Sequence, residues 1–203
     1  MAFAVRRHAT TLARNHAHTQ MEDTINIEEA RAEDPEALRE ALVGQFGHLA
    51  DEVMALRTVV DGLPDAILEG RPEQDALTMK ERYGAIATLD AGVRRTRMNR
   101  VLEEEDPALE PVDVEAEVRA ANWNEQDIGV ILDEVKATRR DLTETLEELP
   151  LSAWHRTATL EDETLSLFAL VYRMTQEDFQ RLRDLGYRLH GAHLSDRDEP
   201  LPT

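Results

Sequence analysis

The stretch LFALVYRMTQEDFQRL, residues 167–182, decides the fold. In it and just beyond, Leu167, Val171, Met174, Leu182, Leu185 and Leu189 recur at intervals of three and four, the spacing of a helix with one apolar face. With Asp178 as origin and an advance of about 100° per residue, all six fall within roughly 40° of it. A carboxylate therefore sits in the middle of the apolar stripe. Arg181 lies at about −60° and Glu177 at about −100°, on one flank. A helix that aims an acid, and beside it an acid–base pair, at its own core is the main lead to function.

Working outward, three more segments carry the same period. Asp34-Pro35-Glu36 has the cap, first-turn proline and acid of a helix start, and Leu42, Phe46, Leu49 and Val53 mark its inner face until Gly62-Leu63-Pro64 stops it. Thr78 and Glu81 have capping-box spacing and open a second helix with Met79, Tyr83, Ile86, Val93 and Val101 inward. A third helix is predicted from near Asn124 to about Glu148, with Ile128, Leu132, Val135, Leu142 and Leu146 as its stripe. The fourth is predicted over roughly 163–190, with a short helix at 113–121 and a connector through Trp154 and His155. No strand series competes, so the expected fold is all-α, a four-helix bundle over residues 34–190. Residues 1–33 read as a flexible or disordered extension and 191–203 as a disordered tail.

Composition narrows the function classes. The chain has 203 residues and a net charge of −19, from 42 acids against 23 bases. Such a surface repels phosphate backbones and anionic lipid, so neither nucleic acid nor a membrane is an expected partner. No run approaches the length of a membrane span. There are no cysteines, which removes thiolate nucleophiles and cysteine-ligated zinc and fits a cytoplasmic setting. No P-loop, GxGxxG or Ser-His-Asp order is present. Glu-x-x-His pairs on two helices, which a carboxylate-bridged di-iron bundle needs, are also missing.

Three of the four helices place an ionisable residue on the inner face: Asp90, Arg139 and Asp178. Opposite charges with hydrogen bonds offset much of the cost of burial, so Arg139 is expected to pair with Asp90 or Asp178. Glu177 and Arg181 stand four apart and can pair within their helix. Read as structure, these groups fix the register of the bundle. Read as function, they line a small polar cavity between helices, where bundles place ligands. His48, beside Leu49, has no second histidine at helical metal spacing.

In layout, residues 36–190 resemble the DinB-like (DinB/YfiT) superfamily of four-helix bundles. The matching segments are VVDGLPDAILEGRP, MKERYGAIATLDAGVRRTRMNRVLEEEDPALEPVD, ATRRDLTETLEELPLSAW and LFALVYRMTQEDFQRL, in that order. The resemblance implies a divalent metal such as zinc or nickel held by three histidines, and thiol-dependent transferase or isomerase chemistry. It places those three positions at Ala85, Glu177 and Arg181. Alanine has no donor atom, and arginine stays protonated and cannot ligate. The expected protein is thus a DinB-like binding or interaction module without a metal cofactor, taking a small-molecule ligand and, as in many members, forming a homodimer. The alternative is a divergent thiol-dependent S-transferase or isomerase that works without metal or recruits one through other ligands such as Glu177, Asp178, Asp90 and His48.

Overall fold

The structure, a computed structural model, describes residues 26–73 and 76–195. The expectations for the start of the extension and the end of the tail fall outside those residues. Helix α1 (Ile27–Glu33) is capped by the Asn26 side chain and buries Ile27, so part of the predicted extension is helical. Helix α2 (Pro35–Ala55) starts where the Asp34 side chain accepts from the Ala37 amide and proline occupies the first turn. Two short helices follow, α3 (Arg57–Asp61) and α4 (Asp65–Leu68).

The second long helix is composite. Helix α5 (Met79–Thr88) begins in the expected capping box, with Thr78 and Glu81 each accepting from the other's backbone amide. It passes through a π-helical turn (Leu89–Arg94) into α6 (Arg95–Glu103). That turn changes the face. Val93, predicted inside, is half-exposed, and Arg94 is buried in its place. The buried series Ile86, Asp90, Arg94, Met98 steps by four. In an α-helix it would rotate away by about 40° per step, and the wider π turn takes up that drift.

After α6 come strand β1 (Ala108–Leu109), helix α7 (Val114–Ala120) and a 3-10 turn (Trp123–Glu125). Helix α8 (Ile128–Glu148) starts at the Asp127 cap, four residues later than predicted. A short helix α9 (Leu151–Trp154) leads into β2 (Thr157–Leu160) and β3 (Glu163–Ser166), and helix α10 (Leu167–Ser195) completes the described chain. The predicted connector and the first residues of the predicted fourth helix are therefore a β-hairpin. Strand β1 joins β2 in parallel, with Ala108 opposite Thr159, and β2 pairs antiparallel with β3, with Leu160 opposite Glu163. The hairpin turns on Glu161 and Asp162, both at positive φ (51° and 68°), without the glycine that marks such turns in a sequence.

Around the bundle, α2 packs against α8 and α10, and α5 packs against the same two, so the first and second long helices face each other diagonally. A simple up-and-down bundle would put them side by side. The apolar core falls into two clusters. One gathers Phe46, Met98, Leu142, Val171 and Met174 at the sheet end. The other gathers Leu49, Ile86, Val135 and Leu185 at the far end. The charged residues occupy the layer between them.

Tight packing is clearest at Gly84. A Cβ there would lie inside the van der Waals surface of the Trp123 ring, whose Nε1 donates to Thr88 Oγ1 at 3.0 Å. Overfilling a packed site costs about 1–3 kcal/mol. Gly84→Ala is expected to lose that much in urea unfolding, and a variant as stable as the parent would contradict this packing.

Candidate functional site: a buried charge cluster and the cavity beside it

The cluster is built by all four long helices. The π turn of the second helix projects Asp90 and Arg94 inward one turn apart. Helix α8 contributes Arg139, α10 contributes Asp178, and all four side chains are buried. Arg139 grips Asp90 with two bonds, Nε to Oδ2 at 2.7 Å and Nη2 to Oδ1 at 3.1 Å, and donates Nη1 to Asp178 Oδ2 at 2.7 Å. Arg94 donates Nη1 to Asp90 Oδ1 at 2.9 Å and Nη2 to Asp178 Oδ1 at 2.6 Å. Helix α2 closes the ring. The Phe46 carbonyl accepts from Arg139 Nη1 at 2.9 Å, and the Phe46 ring lies 3.9 Å below the Arg139 guanidinium.

Two guanidiniums and two carboxylates make the inner ring neutral, which is what lets it exist away from water. Each carboxylate accepts from both arginines, the fork geometry that suits arginine better than lysine. Burial opposes the charge on Arg94, but Asp178 and Asp90 outweigh it and raise its pKa above the ordinary value. Arg94 also donates to the Met174 carbonyl at 3.2 Å and to Glu177 at 3.4 Å. Its Nε stays buried without a partner.

Beside this ring lies a polar cavity of about 270 Å3. Its walls are the π turn (Leu89 and Val93), the segment before α7, the β2–β3 turn and one face of α10. Three arginines reach it, Arg97, Arg173 and Arg181, against two acids, Glu161 and Glu177. Arg173 pairs with Glu163 at 3.4 Å. Arg97 donates to the Glu110 carbonyl at 2.9 Å and, among the described residues, meets no carboxylate within 4 Å. Arg181 has neither a hydrogen bond nor an ion pair among the described residues. The Nε atoms of Arg97 and Arg181 are both buried and unpartnered. Burial lowers the pKa of each, and the neighbouring Arg94 charge adds to the effect at Arg181.

The sequence-predicted residues divide accordingly. Asp90, Arg139 and Asp178 come together, and Arg139 pairs with both acids rather than with one. Glu177 turns to Arg94 instead of closing the predicted pair with Arg181. Glu177 and Arg181 share the cavity, whereas Ala85 is buried in the far apolar cluster and Leu89, one turn on, forms the wall. His48 is exposed and meets Glu52 at 3.2 Å on the same helix. Arg94, Arg97 and Glu161 lie outside the set expected from the sequence. Only Arg94 left a signal, standing four residues from both Asp90 and Met98.

The residues at the positions that resemble a three-histidine site do not fit a divalent cation. Ala85 offers no donor atom, Arg181 is a fixed cation, and Glu177 already faces Arg94. The oxygens of Asp90 and Asp178 are taken by arginine. Among the described residues, no group of three His, Asp or Glu side chains is arranged to hold a metal ion.

The family model of the DinB superfamily matches residues 48–185. Among solved structures, the fold is similar to that of YfiT from Bacillus subtilis, described as a probable metal-dependent hydrolase with an unusual four-helix bundle topology. The TM-score is 0.59 at 16% identity, over 75% of this chain and 87% of that one. No curated protein matches in sequence.

Breaking the ring from one side strands a buried charge, which costs about 3–5 kcal/mol. Asp178→Ala is expected to lose stability on that scale in urea unfolding. A loss of less than about 1 kcal/mol, the scale of an exposed pair, would show that the ring is not dry.

Proposed function

The chain belongs to the DinB superfamily, and from that premise we propose that it is a metal-independent, non-catalytic member: a small-molecule binding module built around a structural charge cluster. The observation that carries this reading is Arg181. It stands, by resemblance, where the superfamily places a metal-binding histidine, and it brings a half-buried guanidinium to the cavity wall. A guanidinium has no lone pair to give a metal, and its charge opposes a cation a few ångströms away. The neighbouring ring supports the same reading. Its carboxylates are already engaged by two arginines.

A structural charge cluster also explains how polar the centre is. An exposed reactive acid would need a free oxygen and a tunable proton. Asp90 and Asp178 each accept three hydrogen bonds from arginine, an arrangement suited to holding helices rather than to moving protons.

Metal analysis of the purified chain, followed by calorimetric titration with zinc and nickel, tests this reading. The expected result is no stoichiometric metal as isolated and no saturable binding in the micromolar range. One zinc or nickel ion bound per chain at micromolar affinity or tighter would overturn it.

A further inference from the structure

The arginine-lined cavity does not stand alone. A second cavity of about 370 Å3 lies against it, between the outer face of the π turn and the segment Leu109–Val112. The two share Val93, Arg97 and Val112. Their characters differ. The first gathers Arg97, Arg173 and Arg181. In the second, Val93, Leu109 and Val112 and the bare Gly92 backbone form an apolar stretch that meets Arg97 at the common boundary, with Arg100, Glu110 and Glu117 also on its walls. Gly92 has open space where a side chain would stand. The charged end and the more apolar end adjoin, with Arg97 at the boundary.

We propose that this double cavity binds a small amphipathic acid: an anionic head against Arg181 and Arg97, and a short apolar chain running past Val93 toward Leu109. This deepens the binding-module reading above and rests on it. Arg181 carries the head assignment. It is a partly desolvated cation with no hydrogen bond or ion pair among the described residues, attracted by Glu177 only at longer range, and an incoming carboxylate or phosphate would supply the charge-assisted bonds its guanidinium lacks. Arg97 lines both cavities, and its Nε is likewise buried and unpartnered.

Two features limit what enters. Glu161 and Glu177 reduce the local positive charge, so a singly charged head suits the cavity better than a multiply charged one. Glu161 is delivered there by the β2–β3 turn at positive φ, a conformation that a non-glycine residue adopts only when the surroundings impose it. The chain's overall charge of −19 repels free anions at a distance, so selectivity for an acid must come from contacts inside the cavity. The apolar part favours a ligand with a hydrocarbon chain over a bare inorganic ion.

Calorimetric titration of the full chain with octanoate and with octyl phosphate tests the inference and separates the two head chemistries. Acetate and 1-octanol are the controls for head alone and tail alone. The expected result is saturable one-to-one binding of at least one of the two acids, with both controls at least about tenfold weaker. Arg181→Gln and Arg97→Gln are each expected to weaken binding by about tenfold to a hundredfold, the scale of a lost charge-assisted hydrogen bond. Arg181→Gln should do so without lowering the melting temperature, because it removes a cation with no hydrogen bond or ion pair to lose, whose burial outweighs its attraction to Glu177. Arg181→Lys, which keeps the charge, should recover part of the affinity. Saturation by neither acid would overturn the inference. So would 1-octanol binding as tightly as the acids, or undiminished binding in both glutamine variants. The metal titration stands apart. Zinc binding would sink the metal-independent reading, whereas failure of both acids with no zinc bound would sink this inference alone.

Discussion

Arg139 is held by both buried aspartates at once, and the rest of the bundle is arranged around that requirement. Its guanidinium comes from the third long helix, Asp90 from the second, Asp178 from the fourth, and the Phe46 carbonyl and ring from the first. A guanidinium in a dry interior tolerates little error in the placement of its acceptors, because each unmade bond leaves a desolvation cost uncompensated. One residue therefore constrains all four helices along their axes and in rotation. The two apolar clusters on either side contribute burial, which is non-directional, and the ring between them selects one register from those that burial alone would allow.

Satisfying that ring has a local consequence in the second helix. Asp90 and Arg94 must both face inward together with Ile86 and Met98, which a regular α-helix cannot do over that length. The π turn resolves the conflict and turns Val93 and Gly92 outward. There they become walls of the two cavities. The same distortion thus completes the charge cluster and opens the space next to it. The small sheet adds the remaining side, since the β2–β3 turn brings Glu161 to the cavity rim.

Most of the helical frame was legible in the sequence, because capping residues and three-and-four spacing are local signals. Asp34-Pro35, Thr78 with Glu81, and the stripe from Leu167 to Leu189 each give an element its start or its face. Asp90, Arg139 and Asp178 were legible as a set because each interrupts an apolar stripe. Three features were not. The π turn depends on tertiary demand, and a period fitted to 100° per residue returns Val93 where the protein puts Arg94. The hairpin turns on Glu161 and Asp162, so the usual glycine or asparagine mark is missing. The cavity joins residues from distant parts of the sequence, from Leu89 through Glu161 to Arg181, and no local pattern encodes that meeting.

Asp90 and Arg139 act as one unit that keys the bundle, and a double-mutant cycle on that pair measures this coupling most directly. In urea unfolding, Asp90→Leu and Arg139→Met should each destabilise by about 3–5 kcal/mol, and the double variant by at least about 2 kcal/mol less than the sum, since removing both leaves fewer stranded charges than removing either. Single-variant losses that add to within about 0.5 kcal/mol would contradict the account, because independent sites behave that way and a shared buried ring does not.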